Sequence, residues 1–355
     1  MKPARLAGLG LALVVLAAFP LVFTNGLVTT LGFYCVTFAA AASGWNLFSG
    51  FSGYFSLGHA VFFGIGAYTI ALLALHLHMT GSYSIFALVP LGGLAAGVIA
   101  LPLGWVVLRV RRHAFVVITI AMFFIFQYLA ENLGFTLGSQ GVLLPIPTFP
   151  VATFNNPFYY SGAILLVLTV ACVWSIRRSR MGLQLYAIRD DEDRARSLGV
   201  RVARVKITAF CLSALFVGMA GALWAYFLGQ IFPQFAFNPS FDLTMALMSF
   251  LGGLGTVSGP IVGGIVLEAV ERYLVLTVPD QNLYLIVYGV LFLMVVLFAP
   301  QGVLHPAGRG VAKVWGWIGR GGWRAQAAAP PASEPAAVRL GTEPAAGDDS
   351  SVRPG

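Results

Sequence analysis

Lysine, cysteine and acidic residues are all scarce in this sequence. Its 355 residues include three lysines, three cysteines and 13 acidic residues. No G-x-x-x-x-G-K-[ST] segment and no H-E-x-x-H segment occurs, so the sequence predicts neither a P-loop ATPase nor a zinc protease. Cys35, Cys172 and Cys211 are scattered through apolar segments without the spacing of a metal or redox site, and we interpret them as small core residues. Catalysis by this chain is therefore not expected.

Charged residues are absent altogether from Leu6 to Leu108, a run of 103 residues. Over the whole chain 58% of the residues are hydrophobic, 10% are charged and the mean hydropathy is +0.85, which is typical of a membrane protein. Because a helix needs about 20 apolar residues to cross a bilayer, we predict an all-α, polytopic helical membrane protein with about 8–10 transmembrane or re-entrant helices. Its apolar segments are 6–24, 27–47, 57–75, 84–108, 114–134, 159–176, 206–230, 241–251, 257–275 and 282–299.

The basic residues predict the topology. They lie before the first segment, after the fourth, between the sixth and the seventh, and beyond the last, with Arg272 as the one exception. The numbers of segments between these groups are four, two and four, all even, so every group can face the cytoplasm as the positive-inside rule requires. Both termini are thus predicted to be cytoplasmic, and the net charge of +8 is explained without a nucleic-acid partner.

The ends and the longest charged loop divide the chain. Residues 1–305 are predicted to form a transmembrane domain that includes a cytoplasmic loop at 177–206. We expect the first apolar run to be retained as a span, because it is long for a signal-peptide core and no clean small-x-small cleavage site closes it. Residues 306–324 mix tryptophan with lysine and arginine, as an interfacial segment does, and a simple stop-transfer flank fits them equally well. The Ala-, Pro- and Ser-rich tail at 325–355 is predicted to be disordered.

The loop at 177–206 is dense in charge and in helix-forming residues. Within it, RSRMGLQLYAIRDDEDRARSLGV contains an acidic run followed by arginines. We predict one surface helix at about 186–198, with Gly199 as its C-terminal cap. Such a helix suits docking of a soluble partner, and an ordinary solvated loop is the alternative.

Two glycine-rich motifs interrupt the apolar segments, at 46–59 and at 252–260. Irregular backbone is tolerated at membrane depth where it is buried in protein or lines a cavity. Small residues also allow membrane helices to pack closely. Lining of a translocation pathway and close packing therefore both remain open, with His59 as a candidate substrate contact. Pro260 predicts a helix start, whose positive dipole end would suit a carboxylate.

Three motifs together resemble one known family. The segments GWNLFSGFSGYFSLGHAVFFGIGAY, RSRMGLQLYAIRDDEDRARSLGV and SFLGGLGTVSGPIVGGIVLEAV are similar to those of the permeases of bacterial ABC importers for branched-chain amino acids, in particular the LivM-type subunit. The resemblance covers about residues 30–300, with the motifs in the right order. It implies the ABC importer permease fold and a multi-pass position in the bacterial inner membrane.

The resemblance also implies partners. They are a LivH-type second permease subunit, two cytoplasmic ATPase subunits and a periplasmic binding protein that delivers leucine, isoleucine or valine as the small-molecule substrate. ATP would bind to the ATPase subunits, so this chain is expected to need no cofactor and no metal of its own. Closure of the ATPases would reach the permease as a rigid-body push and drive alternating access between membrane lipids.

The resemblance assigns roles to two groups of residues. The segment that docks on an ATPase subunit matches Gly182, Ala187, Ile188, Arg189, Asp190, Asp191, Glu192 and Gly199. The expected translocation pathway comprises Asn46, Gly50, Ser52, Gly53, Ser56, Gly58, His59, Gly252, Gly253, Gly255, Thr256, Gly259 and Pro260. On this basis Glu192→Lys is expected to leave membrane insertion intact and to weaken ATPase docking.

Alternatives remain on two counts. Tyr54 and Phe55 depart from the family motif, and residues 112–115 replace a common Gly-x-Tyr-Phe-Ala segment, so urea, short amides or other small organic solutes are alternative substrates. A stand-alone ion-coupled secondary transporter or channel is the alternative class, and it would need ionisable groups inside the membrane. Glu268 and Arg272 are four residues apart and are instead predicted to pair on one helix face.

Overall fold

The computed structural model describes residues 3–150 and 153–277 and the helical pairs 286–287, 289–290 and 293–294. Six helical segments in this part of the chain are long and apolar enough to cross a membrane, which confirms the polytopic helical class. They are Gly26–Ser52, His59–His76, Tyr83–Val107, Arg112–Asn132, Asn156–Arg178 and Val202–Leu228. Apart from those pairs, the predicted segment at 282–299, the interfacial segment at 306–324 and the tail at 325–355 lie outside the described residues.

The described helices follow the predicted segments closely. In chain order they are α1 (Pro3–Val22), α2 (Gly26–Ser52), α3 (His59–His76), α4 (Val89–Val107), α5 (Arg112–Asn132), α6 (Asn156–Arg178), α7 (Arg180–Asp190), α8 (Glu192–Ser197), α9 (Val202–Leu228), α10 (Pro233–Ala236), α11 (Pro239–Gly252) and α12 (Gly259–Thr277). A 3₁₀ helix at Tyr83–Leu88 leads directly into α4. Two short strands, β1 (Val142–Leu143) and β2 (Gln230–Ile231), pair antiparallel and tie the loop before α6 to the end of α9.

Helix α9 lies at the centre of the bundle, against α2, α3 and α4. Glycines bring these helices into backbone contact. A Cβ atom added at Gly66 of α3 would overlap the carbonyl oxygen of Gly218 in α9, and one added at Gly221 would overlap that of Phe63. Close approach of this kind stabilises membrane helices, because lipid offers them no hydrophobic driving force for association.

Helices α11 and α12 form a hairpin beside α2. Helix α11 has 14 residues. It rises about 21 Å, less than the roughly 30 Å hydrocarbon core, so it is too short to cross the bilayer by itself. Helix α12 begins at Gly259 with Pro260 in its first turn, as predicted. Its Arg272 Nε lies 3.0 Å from Glu268 Oε1, which confirms the predicted ion pair.

The charged loop differs from the single helix predicted at 186–198. It forms two helices, α7 and α8, which meet at Asp191, where the backbone is extended. The Asp191 carboxylate accepts hydrogen bonds from the backbone N–H groups of Asp193 and Arg194, both at 3.0 Å. Because aspartate is a preferred N-cap residue, the acidic run starts a new helix and does not continue the old one. Gly199 follows the end of α8 with a φ of +84°, as its predicted capping role requires.

Candidate functional site

Helix α7 is attached to both glycine-rich motifs. The Arg189 guanidinium donates a hydrogen bond from Nη1 to the Gly50 carbonyl oxygen at 2.8 Å. The Tyr186 hydroxyl donates to the Gly255 carbonyl oxygen at 2.9 Å, and its ring packs on Phe51 with centroids 5.3 Å apart. One turn of α7 therefore contacts the end of α2 and the break between α11 and α12.

A cation from α5 binds the end of α7. The Arg112 guanidinium donates to the carbonyl oxygen of Ile188 at 2.8 Å and also to that of Arg189. Carbonyl groups in the last turn of a helix lack partners within the helix and carry the negative end of its dipole. Arg112 belongs to the segment that departs from the family pattern, so this departure has a structural role here.

Helix α8 is held by an internal ion pair. Lys206 Nζ, at the start of α9, lies 3.1 Å from Glu192 Oε1, and the Lys206 side chain is only 3% exposed. Nζ also donates to the Tyr54 hydroxyl at 3.1 Å and to the Leu108 carbonyl oxygen at 3.2 Å, and the Tyr54 hydroxyl in turn donates to Glu192. Glu192 therefore joins α8 to the loop between α2 and α3 and to α9.

The ion pair changes the properties of Glu192. Partial burial would raise the pKa of this carboxyl, but the hydrogen bond from Tyr54 and the charge of Lys206 outweigh it, and the pKa is lowered. In Glu192→Lys a second ammonium would lie beside Lys206 in a mostly buried site, so this substitution would disturb the junction with the bundle as well as the loop's outer face. Glu192 is thus unsuitable as a test of docking alone.

The outer face of the loop remains open. Asp190, Asp193, Arg194 and Arg196 are exposed, and the Leu198 side chain at the tip is 84% exposed. Of the other predicted coupling residues, Gly182 and Ile188 are buried, Ala187, Arg189 and Asp191 are half-buried, and Gly199 is exposed. Backbone N–H groups of Arg194 and Asp193 lower the pKa of the Asp191 carboxyl that caps α8. The loop combines an inner face that binds the membrane helices with a charged outer face around one leucine.

The two glycine-rich motifs pack on each other. The Asn46 side chain donates from Nδ2 to the Thr256 carbonyl oxygen and accepts from the Gly255 N–H at Oδ1, both at 2.8 Å. An added Cβ at Gly252 would overlap the Gly259 carbonyl oxygen, so only glycine fits where α11 turns back into α12. Of the 13 predicted pathway residues, Gly53 and Thr256 are half-buried and the others are buried within this chain. The motifs thus form a buried seam, which favours the packing interpretation over direct lining.

His59 lies inside the bundle with both ring nitrogens occupied. Its Nδ1 is 2.8 Å from the Ser56 hydroxyl and its Nε2 is 2.7 Å from the Ser213 hydroxyl, and the ring is fully buried. The Ser213 hydroxyl donates to the Gly44 carbonyl oxygen, so it accepts from Nε2–H, which makes Nδ1 the acceptor for Ser56. In this geometry His59 links α2, α3 and α9 and offers no free nitrogen to a substrate.

The contacts of several residues in this region could not be predicted from the sequence. Tyr186 and Arg112 look like ordinary members of a loop and a helix start, and their carbonyl partners leave no trace in the sequence. Asp242, in the first turn of α11, is buried, and its Oδ1 accepts from the Ala60 N–H at 3.1 Å, near the start of α3. Lys206 did carry a signal, because it is the one charged residue inside the predicted apolar segment 206–230.

Known proteins are similar in sequence to this chain over most of its length. Residues 26–296 match the family described as the permease component of branched-chain amino acid transport systems. The chain belongs to this family. Over 324 residues this permease is 32% identical to the high-affinity branched-chain amino acid transport system permease protein LivM of Escherichia coli (strain K12). The alignment covers 82% of this chain and 73% of that protein.

Two further relatives match this chain at lower identity or over a shorter length. Over 293 residues this permease is 27% identical to the corresponding protein LivH of Salmonella typhimurium, with 76% of this chain and 91% of that protein covered. A shorter match of 119 residues, 33% identical, joins it to the autoinducer 2 import system permease protein LsrC of Photorhabdus luminescens, over 32% of this chain and 36% of that protein. No solved structure matches the chain.

These matches confirm the resemblance drawn from the three motifs and the transport function of the family. Within the described residues, no group of three or more His, Cys, Asp or Glu side chains could hold a metal ion. The roles assigned to individual residues of the loop and of the seam stay predictions.

Proposed function

We propose that this chain is a LivM-type permease subunit of an ATP-driven importer that moves branched-chain amino acids across the bacterial inner membrane. The observation that carries the proposal is the family match over residues 26–296, which spans all six candidate membrane helices. Relatives named for branched-chain amino acid transport support leucine, isoleucine and valine as the substrates.

The proposed assembly contains four further proteins. A LivH-type permease completes the pathway, two cytoplasmic ATPase subunits supply the energy, and a periplasmic binding protein delivers the amino acid. The matches to both LivM and LivH support a pair of related permeases. This chain is proposed to be no enzyme and to hold no cofactor, with ATP bound by the ATPase subunits. Helices α7 and α8, with both chain termini, would face the cytoplasm, where the basic residues concentrate.

The proposed coupling route starts at the exposed face of α7 and α8. An ATPase subunit that grips this face around Leu198 would push on α7. Because Arg189 and Tyr186 bind the backbone of Gly50 and Gly255, the push would move α2 and the hairpin of α11 and α12 together. The 13 residues of the seam would then act on the pathway without lining it, because their packing would change as access alternates.

Transport by the reconstituted assembly tests this proposal. Proteoliposomes would contain this chain, its candidate permease partner, both ATPases and the binding protein, with each component omitted in turn. We expect ATP-dependent leucine uptake that needs every component and that isoleucine and valine inhibit. Uptake by this chain alone under an ion gradient would refute the importer function, and inhibition by urea but not by isoleucine would refute the substrate class.

A further inference from the structure

A cavity of about 400 Å³ lies between α2, α9, α11 and α12. Its walls include four aromatic residues, Tyr34, Phe38, Trp224 and Phe241, together with Thr244, Glu271 and Arg272. The volume falls within the range of about 300–1,000 Å³ found for small-molecule sites. None of the residues predicted for the pathway lines it, so it is a separate place in the fold.

The cavity is far from the coupling loop. Phe38 precedes Gly50 by 12 residues of α2, about 18 Å along the helix, and Trp224 follows Lys206 by 18 residues of α9, about 27 Å. The cavity therefore belongs to the end of the bundle opposite the loop. In the proposed orientation, this end faces the periplasm and the binding protein.

One side of the cavity carries charges of both signs. Arg272 Nε binds Glu268, which is 1% exposed, while the Arg272 side chain is 33% exposed and its guanidinium lies 3.6 Å from the centre of the Tyr34 ring. Arginine has N–H donors besides the one on Nε, and these suit a carboxylate. Glu271 is the next residue and also lines the cavity. A cation and an anion on consecutive residues of one cavity wall can meet the two charges of an amino-acid zwitterion.

The other side is apolar. The ring centroids of Phe241 and Phe38 are 5.9 Å apart, and those of Phe241 and Trp224 are 5.3 Å apart, so the three rings form one continuous wall. An apolar side chain against this wall would leave water at a gain of about 25 cal/mol for each Å² buried. A ligand with a third charge would lose hydration there without a partner.

We infer that this cavity is a binding site for a zwitterionic amino acid with an apolar side chain, held by Arg272 at the carboxylate, by Glu271 at the ammonium group and by the aromatic wall. This inference rests on the proposed transport function, which supplies the substrate. It adds to that function the residues that contact the substrate. Arg272 already interacts with the carboxylates of Glu268 and Glu271, so the site binds weakly, which permits release in each cycle.

Protection of a cysteine from alkylation tests the site. Ser240 lines the cavity and is exposed, so Ser240→Cys would be made in a chain with its three native cysteines replaced by serine, and the assembly of both permeases and both ATPases would be purified in detergent. We expect millimolar leucine to slow maleimide modification of this cysteine. Ser258→Cys, at an exposed position near the seam, is the matched control, and leucine should not affect its rate.

Removal of the Glu271 charge tests the proposed contact with the ammonium group. Glu271→Gln should raise the leucine concentration for half-protection about tenfold, the value of one charge-assisted hydrogen bond, whereas Glu131→Gln outside the cavity should leave it unchanged. If Ser240→Cys prevents assembly, equilibrium binding of labelled leucine to the same two Gln variants gives the comparison. Equal affinity in both variants, or no protection by leucine in an assembly that transports leucine, would overturn the site. Failure of the intact assembly to transport leucine would instead overturn the proposed function.

Discussion

Replacement of Lys206 by methionine should destabilise the junction between the coupling loop and the bundle. Breaking a buried ion pair costs about 3–5 kcal/mol, because one charge stays behind without compensation, and an exposed pair is worth about 0–1 kcal/mol. Glu192 lies between these limits, since its side chain is 22% exposed and Arg196 stays 3.2 Å from its carboxylate. We therefore expect Lys206→Met to lower the free energy of unfolding by about 2–3 kcal/mol.

The double variant Lys206→Met with Glu192→Gln separates the charge effect from the loss of packing. It removes both charges and keeps similar volumes, so most of the lost stability should return. The assay is denaturant unfolding of the purified assembly in detergent, followed by tryptophan fluorescence. Arg204→Met, an exposed cation on the same turn, is the control and should have little effect. An unchanged transition for Lys206→Met, or a double variant no more stable than the single one, would refute the reasoning.

Four further outcomes are expected. The Glu192 carboxyl has a pKa below its ordinary value of 4.5, so its contribution to stability should be complete above pH 4.5 and should be lost as the pH falls through the lower folded value, which a denaturation series in pH can follow. Tyr186→Phe removes one hydrogen bond to the seam and should lower uptake per ATP hydrolysed about fivefold while ATPase co-purification persists. Leu198→Asp, at a side chain that is 84% exposed, should weaken co-purification of the ATPases without lowering the yield of the permease. Gly66→Ala should cost about 1–3 kcal/mol by overpacking and reduce assembly yield, whereas Gly134→Ala, which meets no atom within 4 Å, should not.

Most of the helical architecture could be predicted from the sequence, because the bilayer sets the length of apolar segments and the placement of charges, and neither depends on contacts between distant residues. Nine predicted segments correspond to described helices, and Pro260 and Gly199 act where their conformational preferences place them. The break at Asp191 was missed, since a carboxylate in an acidic run serves equally as a helix residue or as a cap. The next residue, Glu192, is held by Lys206, 14 residues away, and by Tyr54, 138 residues away, and neither partner is marked in the acidic run itself.

The candidate site was harder to predict. Gly50, Gly255 and Asn46 stand out as a pattern, but whether such glycines face a pathway or each other depends on which helices meet. Their partners on α7, Arg189 and Tyr186, bind carbonyl groups, which every residue has, so no pairing of residue types could reveal them. The aromatic wall and the charges of the cavity likewise come from four separate helices, and no short motif contains them.

The hairpin gives the coupling loop and the cavity a common element. Helix α11 carries Phe241 and Thr244 at the cavity and ends at Gly252, beside the Gly255 carbonyl that Tyr186 binds. Eight residues separate Thr244 from Gly252, about 12 Å of continuous helix, and a helix this short moves as a rigid rod. A displacement of α7 would therefore reach the cavity wall through a single hydrogen bond and one helix. In the proposed importer, the stroke that opens the pathway would move α2 and the hairpin together, and would so shift Phe38 and Phe241 relative to Trp224 on α9 and loosen the apolar wall that holds the substrate.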